Sequence, residues 1–249
     1  MSTTAARIEP PEAVLTASRA WLAPVRAALG PDFVAAHLTG SVLRHGFDPK
    51  HSHVNVLVVA RQLDGATLDR IAGALPSSKR PPHFDPLFMT PSQITDSLDV
   101  FPIEWLDLRE RHFRLEGEDL LAALEVSRTG LRAQCEHELR GKHLRLRHEY
   151  LGSARKAAHL REVLVRIASG FHALFRTVIR LRGEEPPPRT DHAIERVAAA
   201  YGLDAGALLG PHRLKHGERP DDDGTRRLYL AFMAEIERLI DAVDGLDVR

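Results

Sequence analysis

Cysteine is nearly absent from the 249-residue chain, which contains Cys135 and no other. A single cysteine cannot form a disulfide framework or a multi-cysteine zinc site within one chain. An excess of charge of one sign is also missing, because 34 lysine and arginine residues balance 34 aspartate and glutamate residues. Net charge therefore gives no general argument for binding nucleic acid or a membrane, and such a function would need a local patch.

Long hydrophobic runs are missing as well. No stretch approaches the roughly 20 apolar residues that span a membrane, and the N-terminal segment MSTTAARIEPPEAV lacks the basic start and apolar core of a secretory signal. From these absences we expect a cytoplasmic protein that does not enter a membrane. Hydrophobic residues make up 43% of the chain and charged residues 27%, which is ordinary for globular domains.

Signals for helices and strands alternate over residues 11–124, after a tail at 1–10 that we expect to be disordered. Helical spacing predicts a first helix over about 11–29, with Pro24 as the site of a kink or break. Short apolar runs predict strands at 33–38, 54–60, 87–90 and 101–108, and further helices at 64–75 and 91–98. This pattern is typical of a small mixed β-sheet flanked by helices, an α+β arrangement.

Only helical patterns follow over residues 125–249, and this change marks the predicted domain boundary. Apolar residues at helical spacing predict segments at 127–151, 154–181, 191–201, 204–209 and 224–243. The pair Gly210-Pro211 is predicted to end the short fourth segment. Four main helices and this short one would bury their apolar faces most simply in an all-α helical bundle.

The most informative stretch runs from Leu38 to Arg61, LTGSVLRHGFDPKHSHVNVLVVAR. It places Gly40-Ser41 after a short strand and Ser52-His53-Val54-Asn55 at the start of an apolar run. This layout resembles the signature of the nucleotidyltransferase superfamily, in which a Gly-Ser turn precedes a neighbouring strand that opens with Ser-Asp-x-Asp. The resemblance covers about residues 33–119, and relatives of the aminoglycoside-modifying type commonly carry a C-terminal helical bundle.

The resemblance implies a nucleotide site at Gly40, Ser41 and Ser52, where backbone amides and hydroxyls approach a triphosphate. In the family, two carboxylates at i and i+2 of the second strand hold divalent metal, because residues at that spacing face the same side. Here His53 and Asn55 occupy those positions, and neither supplies the anionic oxygen that Mg²⁺ prefers. We therefore expect a degenerate metal site without Mg²⁺.

A third acidic position in the family has two candidates here, Glu104 and Asp107, which we predict as catalytic residues. Both fall in the predicted strand 101–108, where they would lie on opposite faces. Glu104 is preferred, because it has apolar neighbours and a carboxylate among them is costly without a partner or a role. The alternative is an acid that faces solvent. Asp48 is a further carboxylate, but its spacing does not match the family motif.

Two other patterns offer binding chemistry. Arg140, Lys142 and Arg147 belong to a basic segment and are candidates for contacts with nucleotide phosphates. The competing interpretation is a solvated helical face whose cations pair with glutamates four residues away. His51 and His53 have the spacing of a two-histidine metal site, but no third ligand is evident, which favours a polar junction before a strand.

These patterns support one leading hypothesis and two alternatives. The leading hypothesis is a catalytically degenerate nucleotidyltransferase-fold protein that binds a nucleotide or a protein partner, with no cofactor assigned. The first alternative is an active enzyme that uses Mg²⁺ or Mn²⁺ to transfer a nucleoside monophosphate from a triphosphate to a small molecule or protein. The second is a helical interaction module with a purely structural sheet domain. Nucleic acid is disfavoured, because no aromatic residues interleave with the cations.

Overall fold

The computed structural model describes residues 9–43, 47–48, 52–77, 81–153 and 156–247. The chain divides into two compact units, Met1–Val126 and Ser127–Arg249. The described part of the first unit combines a four-stranded mixed sheet with helices, and that of the second unit is helical. The α+β class predicted from the sequence is therefore confirmed. Among the described helices, none is long and apolar enough to cross a membrane.

Helix α1 (Glu12–Leu29) begins the first unit and packs its apolar face on one side of the sheet. It continues through Pro24, so the predicted break into two helices does not occur. The buried residues Trp21, Leu22 and Val25 lie on either side of the proline along one apolar face. Burial of this face stabilises the helix despite the backbone hydrogen bond that proline cannot make.

The sheet has the strand order β3-β2-β1-β4. Its strands are β1 (Phe33–Thr39), β2 (Val54–Ala60), β3 (Phe84–Met89) and β4 (His112–Gly117). Strand β1 pairs antiparallel with both β2 and β4, and β2 pairs parallel with β3. A parallel pair needs a crossover, and helix α2 (Gly65–Ala74) lies in that connection between β2 and β3. The central strands are the most buried, as their apolar runs predict.

Two apolar layers cover the two faces of this sheet. One layer joins α1 and α2 to the side chains of Ala36, Leu38 and Val56. The other contains Ala35, Leu57 and their neighbours, and it is covered by apolar residues that follow β3 and β4 in the chain. Because strand side chains alternate between faces, this second face also receives Thr39 at the end of β1 and Asn55, the second residue of β2.

The short helix α3 (Pro91–Asp96) follows β3, at the predicted helix 91–98. The predicted strand 101–108 is wrong, because this segment forms helix α4 (Pro102–Glu110). Pro102 is well suited to a first helical turn, and Trp105 and Leu106 follow at the i+3 and i+4 spacing of one buried helical face. Alternating apolar residues in the same segment imitate a strand. The fourth strand, β4, comes directly afterwards, and the predicted strand 87–90 belongs to β3, which begins three residues earlier at Phe84.

The described part of the second unit contains five helices. They are α5 (Arg128–Ser153), α6 (Ala157–Leu181), α7 (Thr190–Tyr201), α8 (Ala205–Lys215) and α9 (Asp222–Asp244). Helix α6 is central and contacts each of the other four. Helix α8 runs through Gly210 and Pro211, so the predicted end at that pair is wrong. A side chain at position 210 would collide with Leu228 of α9, which shows that Gly210 serves close helix packing.

Polar contacts fix two further points of the bundle. The Tyr229 hydroxyl donates to the Leu146 carbonyl at 2.9 Å and connects α9 to α5. The buried Arg176 guanidinium donates to the carbonyls of Pro187 and Pro188 at 2.8 and 2.7 Å. These bonds hold the proline-rich connection between α6 and α7 against the bundle. Breaking the hydrogen bonds of a buried charge costs free energy, so these bonds fix the conformation of the connection.

Replacing Gly117 should test how tightly β4 is joined to β1. Gly117 has φ +82°, and a Cβ there would lie 2.1 Å from the Val34 carbonyl oxygen. Because that oxygen belongs to the central strand, it cannot move aside without disturbing the pairing of Ala35 with Gly117. We expect Gly117→Ala to lower the free energy of unfolding by about 2–4 kcal/mol in urea denaturation, combining positive-φ strain with overpacking.

The matched control is Gly30→Ala in the same unit. Gly30 also has a positive φ, of +55°, but a Cβ there would meet nothing within 4 Å. Backbone strain alone should cost about 1 kcal/mol. Equal losses in the free energy of unfolding for the two variants would show that the close approach of Gly117 to β1 does not add to the cost of the substitution.

Candidate functional site

A row of polar side chains crosses one face of the sheet. Strand pairing places Asp85 opposite Asn55, Asn55 opposite Thr39, and Thr39 opposite His112. Directly paired residues point to the same face, so each of the four strands contributes one side chain. We call these four residues the polar row. Asp85 and Asn55 are exposed, whereas Thr39 and His112 are buried, so the row runs from solvent into the protein.

The predicted Gly-Ser turn lies directly against this row. Gly40 follows β1 with φ +77°, and a Cβ at this position would lie 3.0 Å from Asn55 Nδ2. The structure therefore brings Gly40 and Asn55 together, as the family resemblance implied for these two positions. Ser41 is exposed in the short 3₁₀ turn Gly40–Leu43. Any larger side chain at position 40 would press on the Asn55 amide, so glycine keeps this end of the row open.

The residues before β2 and β3 extend the exposed end of the row. His53 is two residues before Asn55, and His83 is two residues before Asp85, so each pair shares a face of its strand. The rings of His53 and His83 lie 6.0 Å apart between centroids. Ser52 is half-buried, and its backbone amide donates to the Asp48 carbonyl at 2.8 Å. The predicted partner histidine, His51, lies outside the described residues.

The donors at this end do not fit a pair of magnesium ions. Mg²⁺ binds anionic oxygens in near-octahedral geometry, and a two-metal site needs several carboxylates. At the exposed end of the polar row, Asp85 supplies one carboxylate, Asn55 a neutral amide, and His53 a neutral-nitrogen ligand. This set has too little negative charge for the two-metal chemistry that the family resemblance implies.

Glu104 and Asp107 do not occupy a strand beside β2, contrary to the geometry predicted for them. Both belong to helix α4, where Glu104 is exposed and Asp107 lies 4.0 Å from the Arg111 guanidinium. Their spacing of three residues puts them on neighbouring parts of one helical surface rather than on opposite faces. The two side chains lie on neighbouring parts of the surface because the segment is a helix, in which successive residues rotate by a different angle from those of a strand.

Asp85 is the carboxylate that sequence reasoning missed. It lies on β3, directly beside Asn55, and it belongs to the segment Phe84-Asp85-Pro86. The proline-rich composition of residues 76–86 predicts a loop there rather than a strand. However, proline is tolerated at the edge of a sheet, and β3 is an outer strand in the observed order. An acid followed by an apolar run after helix α2 was the available signal.

The three predicted phosphate-binding cations lie on α5 in the second unit, and each is paired with a carboxylate. Arg140 Nε donates to Glu136 at 2.7 Å, Lys142 lies 3.1 Å from Glu138, and Arg147 lies 3.5 Å from Glu237. The first two pairs have the four-residue helical spacing of the competing interpretation, a solvated charged face. Their proposed role toward phosphate is not tested by these contacts.

The buried end of the polar row adjoins a second group of polar residues, which we call the histidine cluster: His37, His112 and Asp119. One ligand atom from each lies within 4.8 Å of the others. His112 Nδ1 lies 2.8 Å from the Leu108 carbonyl oxygen, and its Nε2 lies 2.9 Å from Asp119 Oδ1. Sequence reasoning missed this cluster, although a histidine within the apolar strand FVAAHLT was a signal.

His37 is the least satisfied member of the cluster. It is fully buried, and neither ring nitrogen has a hydrogen-bond partner among the described residues. Burial, together with the adjacent His112, lowers the pKa of His37 to about 4. The Glu118 backbone carbonyl opposes this pKa shift without reaching hydrogen-bond geometry. The imidazole of His37 is therefore neutral near pH 7.

Asp119 remains ionised in the same cluster. Burial acts to raise the pKa of Asp119, but the nearby His112 and a hydrogen bond from the Ala122 amide bring it below the usual range. The Asp119 side chain is 30% exposed, whereas that of His112 is 1% exposed. The carboxylate thus forms the solvent-facing side of the cluster, with the two imidazoles behind it.

Comparison with known proteins supports the class of fold. No protein-family model and no curated protein matches the sequence. The architecture is that of a nucleotidyltransferase-like domain with a helical C-terminal part. Among solved structures, a similar one is spectinomycin adenyltransferase AAD(9) from Enterococcus faecialis, crystallised with ATP and spectinomycin. The TM-score is 0.51 at 14% identity, covering 90% of this chain and 97% of that chain. The predicted resemblance is confirmed for the fold alone.

Restoring carboxylates should create a metal site if the polar row has been placed correctly. The double variant His53→Asp/Asn55→Asp would add two negative charges beside Asp85 on one face of the sheet. We expect it to bind Mn²⁺ at least about tenfold more tightly than the wild type, because hard divalent cations need anionic oxygens. Electron paramagnetic resonance of free Mn²⁺ measures this difference.

The triple variant that adds Asp85→Asn is the control. It keeps both new aspartates but removes the carboxylate of β3, so most of the gain in Mn²⁺ affinity should disappear. A gain that is independent of residue 85 would contradict the placement of Asp85 at the site, and no gain in the double variant would contradict the whole arrangement.

Proposed function

We propose that this protein is a nucleotidyltransferase-fold protein that has lost metal-dependent transfer and binds a nucleotide directly through its first unit. The observation that carries the proposal is the contact between the Gly40 turn and the Asn55 amide at the exposed end of the polar row. The fold is similar to that of an adenyltransferase crystallised with ATP, and this similarity supports a nucleotide as the ligand. Gly40, Ser41 and Ser52 remain the proposed residues around its phosphates.

The charge of the site explains how binding and transfer can separate. Carboxylates at positions 53 and 55, at the start of β2, would repel phosphate and require a metal ion between them and the nucleotide. An amide and an imidazole carry N–H groups that donate hydrogen bonds to phosphate oxygens without a metal. Replacing two carboxylates by Asn55 and His53 therefore removes the requirement for metal as well as the catalytic charge. Binding that does not depend on Mg²⁺ is the specific consequence.

The exposure of the site is consistent with a ligand that arrives from solvent. His53, Asn55 and Asp85 are all exposed, and the Gly40 turn next to them is half-buried. Asp85 is the one acid of this group, so we assign it a role with the sugar hydroxyls or the base rather than the phosphates, which it would repel. This assignment leaves the amide and imidazole to face the anionic part of the nucleotide.

A protein partner is the second candidate ligand of the first unit. Of the large apolar side chains exposed there, the three most exposed are Leu87 at 54%, Val100 at 56% and Phe101 at 50%. Leu87 lies two residues after Asp85 and so projects from the same face of β3. Exposed apolar groups beside a binding site are typical of protein interaction surfaces when they are contiguous. The nucleotide proposal rests on a closer set of contacts and is preferred.

Nucleotide binding can be tested at Asn55 itself, because it is the single asparagine of the chain. Protein labelled with ¹⁵N-asparagine gives one pair of side-chain amide signals, from Asn55 Nδ2. We expect at least one nucleoside di- or triphosphate to shift these signals with EDTA present, since the amide donates to phosphate directly. Titration of each nucleotide, followed by two-dimensional NMR, measures the shift and the affinity.

Two glycine variants provide the comparison. Gly40→Ala should weaken binding at least about tenfold, because its Cβ displaces the Asn55 amide. Gly183→Ala should leave it unchanged, since Gly183 has φ +76°, nearly that of Gly40, and open space around it. If no nucleotide shifts the signals, or if shifts require Mg²⁺, the proposal of direct binding fails.

The active-transferase alternative makes a different prediction. It would require Mg²⁺ or Mn²⁺ and would use Glu104 or Asp107 on α4 as the catalytic carboxylate. We expect no transfer from any α-labelled nucleoside triphosphate to protein or small-molecule acceptors with either metal ion. Transfer by the wild type that is lost in Glu104→Ala or Asp107→Ala would establish the alternative and overturn the proposed loss of catalysis.

A further inference from the structure

We propose that the histidine cluster of His37, His112 and Asp119 is a binding site for a divalent transition metal of the zinc class. This site is distinct from the exposed end of the polar row, where the nucleotide is proposed to bind. It rests on three independent features: the convergence of ligand atoms, the hydrogen bonding of His112, and the unpartnered nitrogens of His37.

The ligand set has the composition of known transition-metal sites. Two imidazole nitrogens and one carboxylate oxygen hold zinc in several hydrolases and leave a further position open. The three ligand atoms lie within 4.8 Å of one another. Ligands of a tetrahedral zinc ion lie roughly 3.3 Å apart, given bond lengths of about 2.0 Å. Small side-chain movements, of about 1.5 Å or less, would therefore bring the three ligand atoms to the separation that one zinc ion requires.

His112 is oriented as a metal ligand with an outer-shell partner. Its Nδ1 lies 2.8 Å from the Leu108 carbonyl, an atom that can only accept, so Nδ1 carries the proton. In a neutral imidazole the lone pair of Nε2 would then face Asp119 Oδ1 at 2.9 Å, which is repulsive. A metal ion bound to both atoms removes the repulsion. A backbone carbonyl that fixes one ring nitrogen while the other binds metal is a recurrent arrangement.

His37 supplies the observation that a simple ion pair does not explain. A proton on His112 Nε2 would also satisfy Asp119, and the two residues would then form a buried salt bridge. That arrangement leaves both nitrogens of the fully buried His37 without partners, 5.5 Å in ring-centroid distance from a charged His112 ring. Buried unsatisfied polar groups are costly. A metal ion coordinated by His37 satisfies one of its nitrogens and neutralises Asp119.

The second unit contains a comparable group of histidines that serves as a control. The rings of His172 and His212 lie 5.4 Å apart, and those of His212 and His216 lie 4.5 Å apart. Among the described residues, however, the cluster at His37 is the one group whose three ligand atoms converge. The geometry therefore favours His37, His112 and Asp119 as the first site to take up metal.

Isothermal titration of the full chain, stripped of metal with EDTA and then freed of EDTA, tests this site with ZnCl₂. We expect one equivalent of Zn²⁺ at submicromolar or tighter affinity. Asp119→Asn keeps an oxygen that can accept from His112 but removes the charge, and His37→Gln removes an imidazole. Each should weaken binding by at least about a hundredfold, the upper end of the loss seen for outer-shell partners. His212→Gln should leave the affinity unchanged.

Co²⁺ provides a second measurement on the same variants. Cobalt bound by nitrogen and oxygen ligands at low coordination number gives visible absorption bands, without the thiolate charge transfer that Cys135 would add. We expect these bands in the wild type and in His212→Gln and their loss in Asp119→Asn. Because the Asp119 side chain is partly exposed, this variant remains informative even if His37→Gln fails to fold. Absence of a zinc equivalent, or its loss in His212→Gln alone, would overturn the proposal.

Discussion

Strand β1 is paired on both sides, and the arrangement of polar groups in the first unit depends on this double pairing. The register with β2 puts Thr39 beside Asn55, and the register with β4 puts Thr39 beside His112. A shift of one residue on either side would send the paired side chain to the opposite face. The pairing of β1 with β4 is regular from His37 to Thr39, so His37 and His112 face the same apolar layer, and its irregularity lies just before this stretch, between Ala36 and His37.

The sheet thus carries two kinds of polar chemistry on one face, separated by burial. At the exposed end, water can solvate the side chains, and their net charge decides which ligands they attract. At the buried end, each polar atom needs a partner, because desolvation is not compensated by water. Replacing a carboxylate by an amide costs little free energy in the exposed part. An imidazole without a partner in the buried part costs much more. For this reason we infer a nucleotide site at the exposed end of this sheet face and a metal site at the buried end.

Much of the architecture could be predicted from the sequence. The change from mixed to helical patterns and the central strands follow from hydrophobic periodicity. The family resemblance placed Gly40 and Asn55 at one site, through a motif whose residues are close in sequence. The errors have physical causes. The segment around Trp105 fits both a period of 2 and a period of 3.6, and Pro86 obscured the first three residues of the edge strand β3. His37, His112 and Asp119 come together only through strand pairing between distant segments, which no local pattern encodes.

Pro86 in the outer strand β3 has a consequence for the solubility of the protein. Outer strands present unpaired backbone groups that can add a strand from another molecule and so nucleate aggregates. Proline has no N–H to offer such a strand, and the charged Asp85 beside it further disfavours sheet extension. Leu87 can therefore remain 54% exposed at this edge. The residue that hid the start of β3 from sequence analysis is also the one that protects the sheet from growing between molecules.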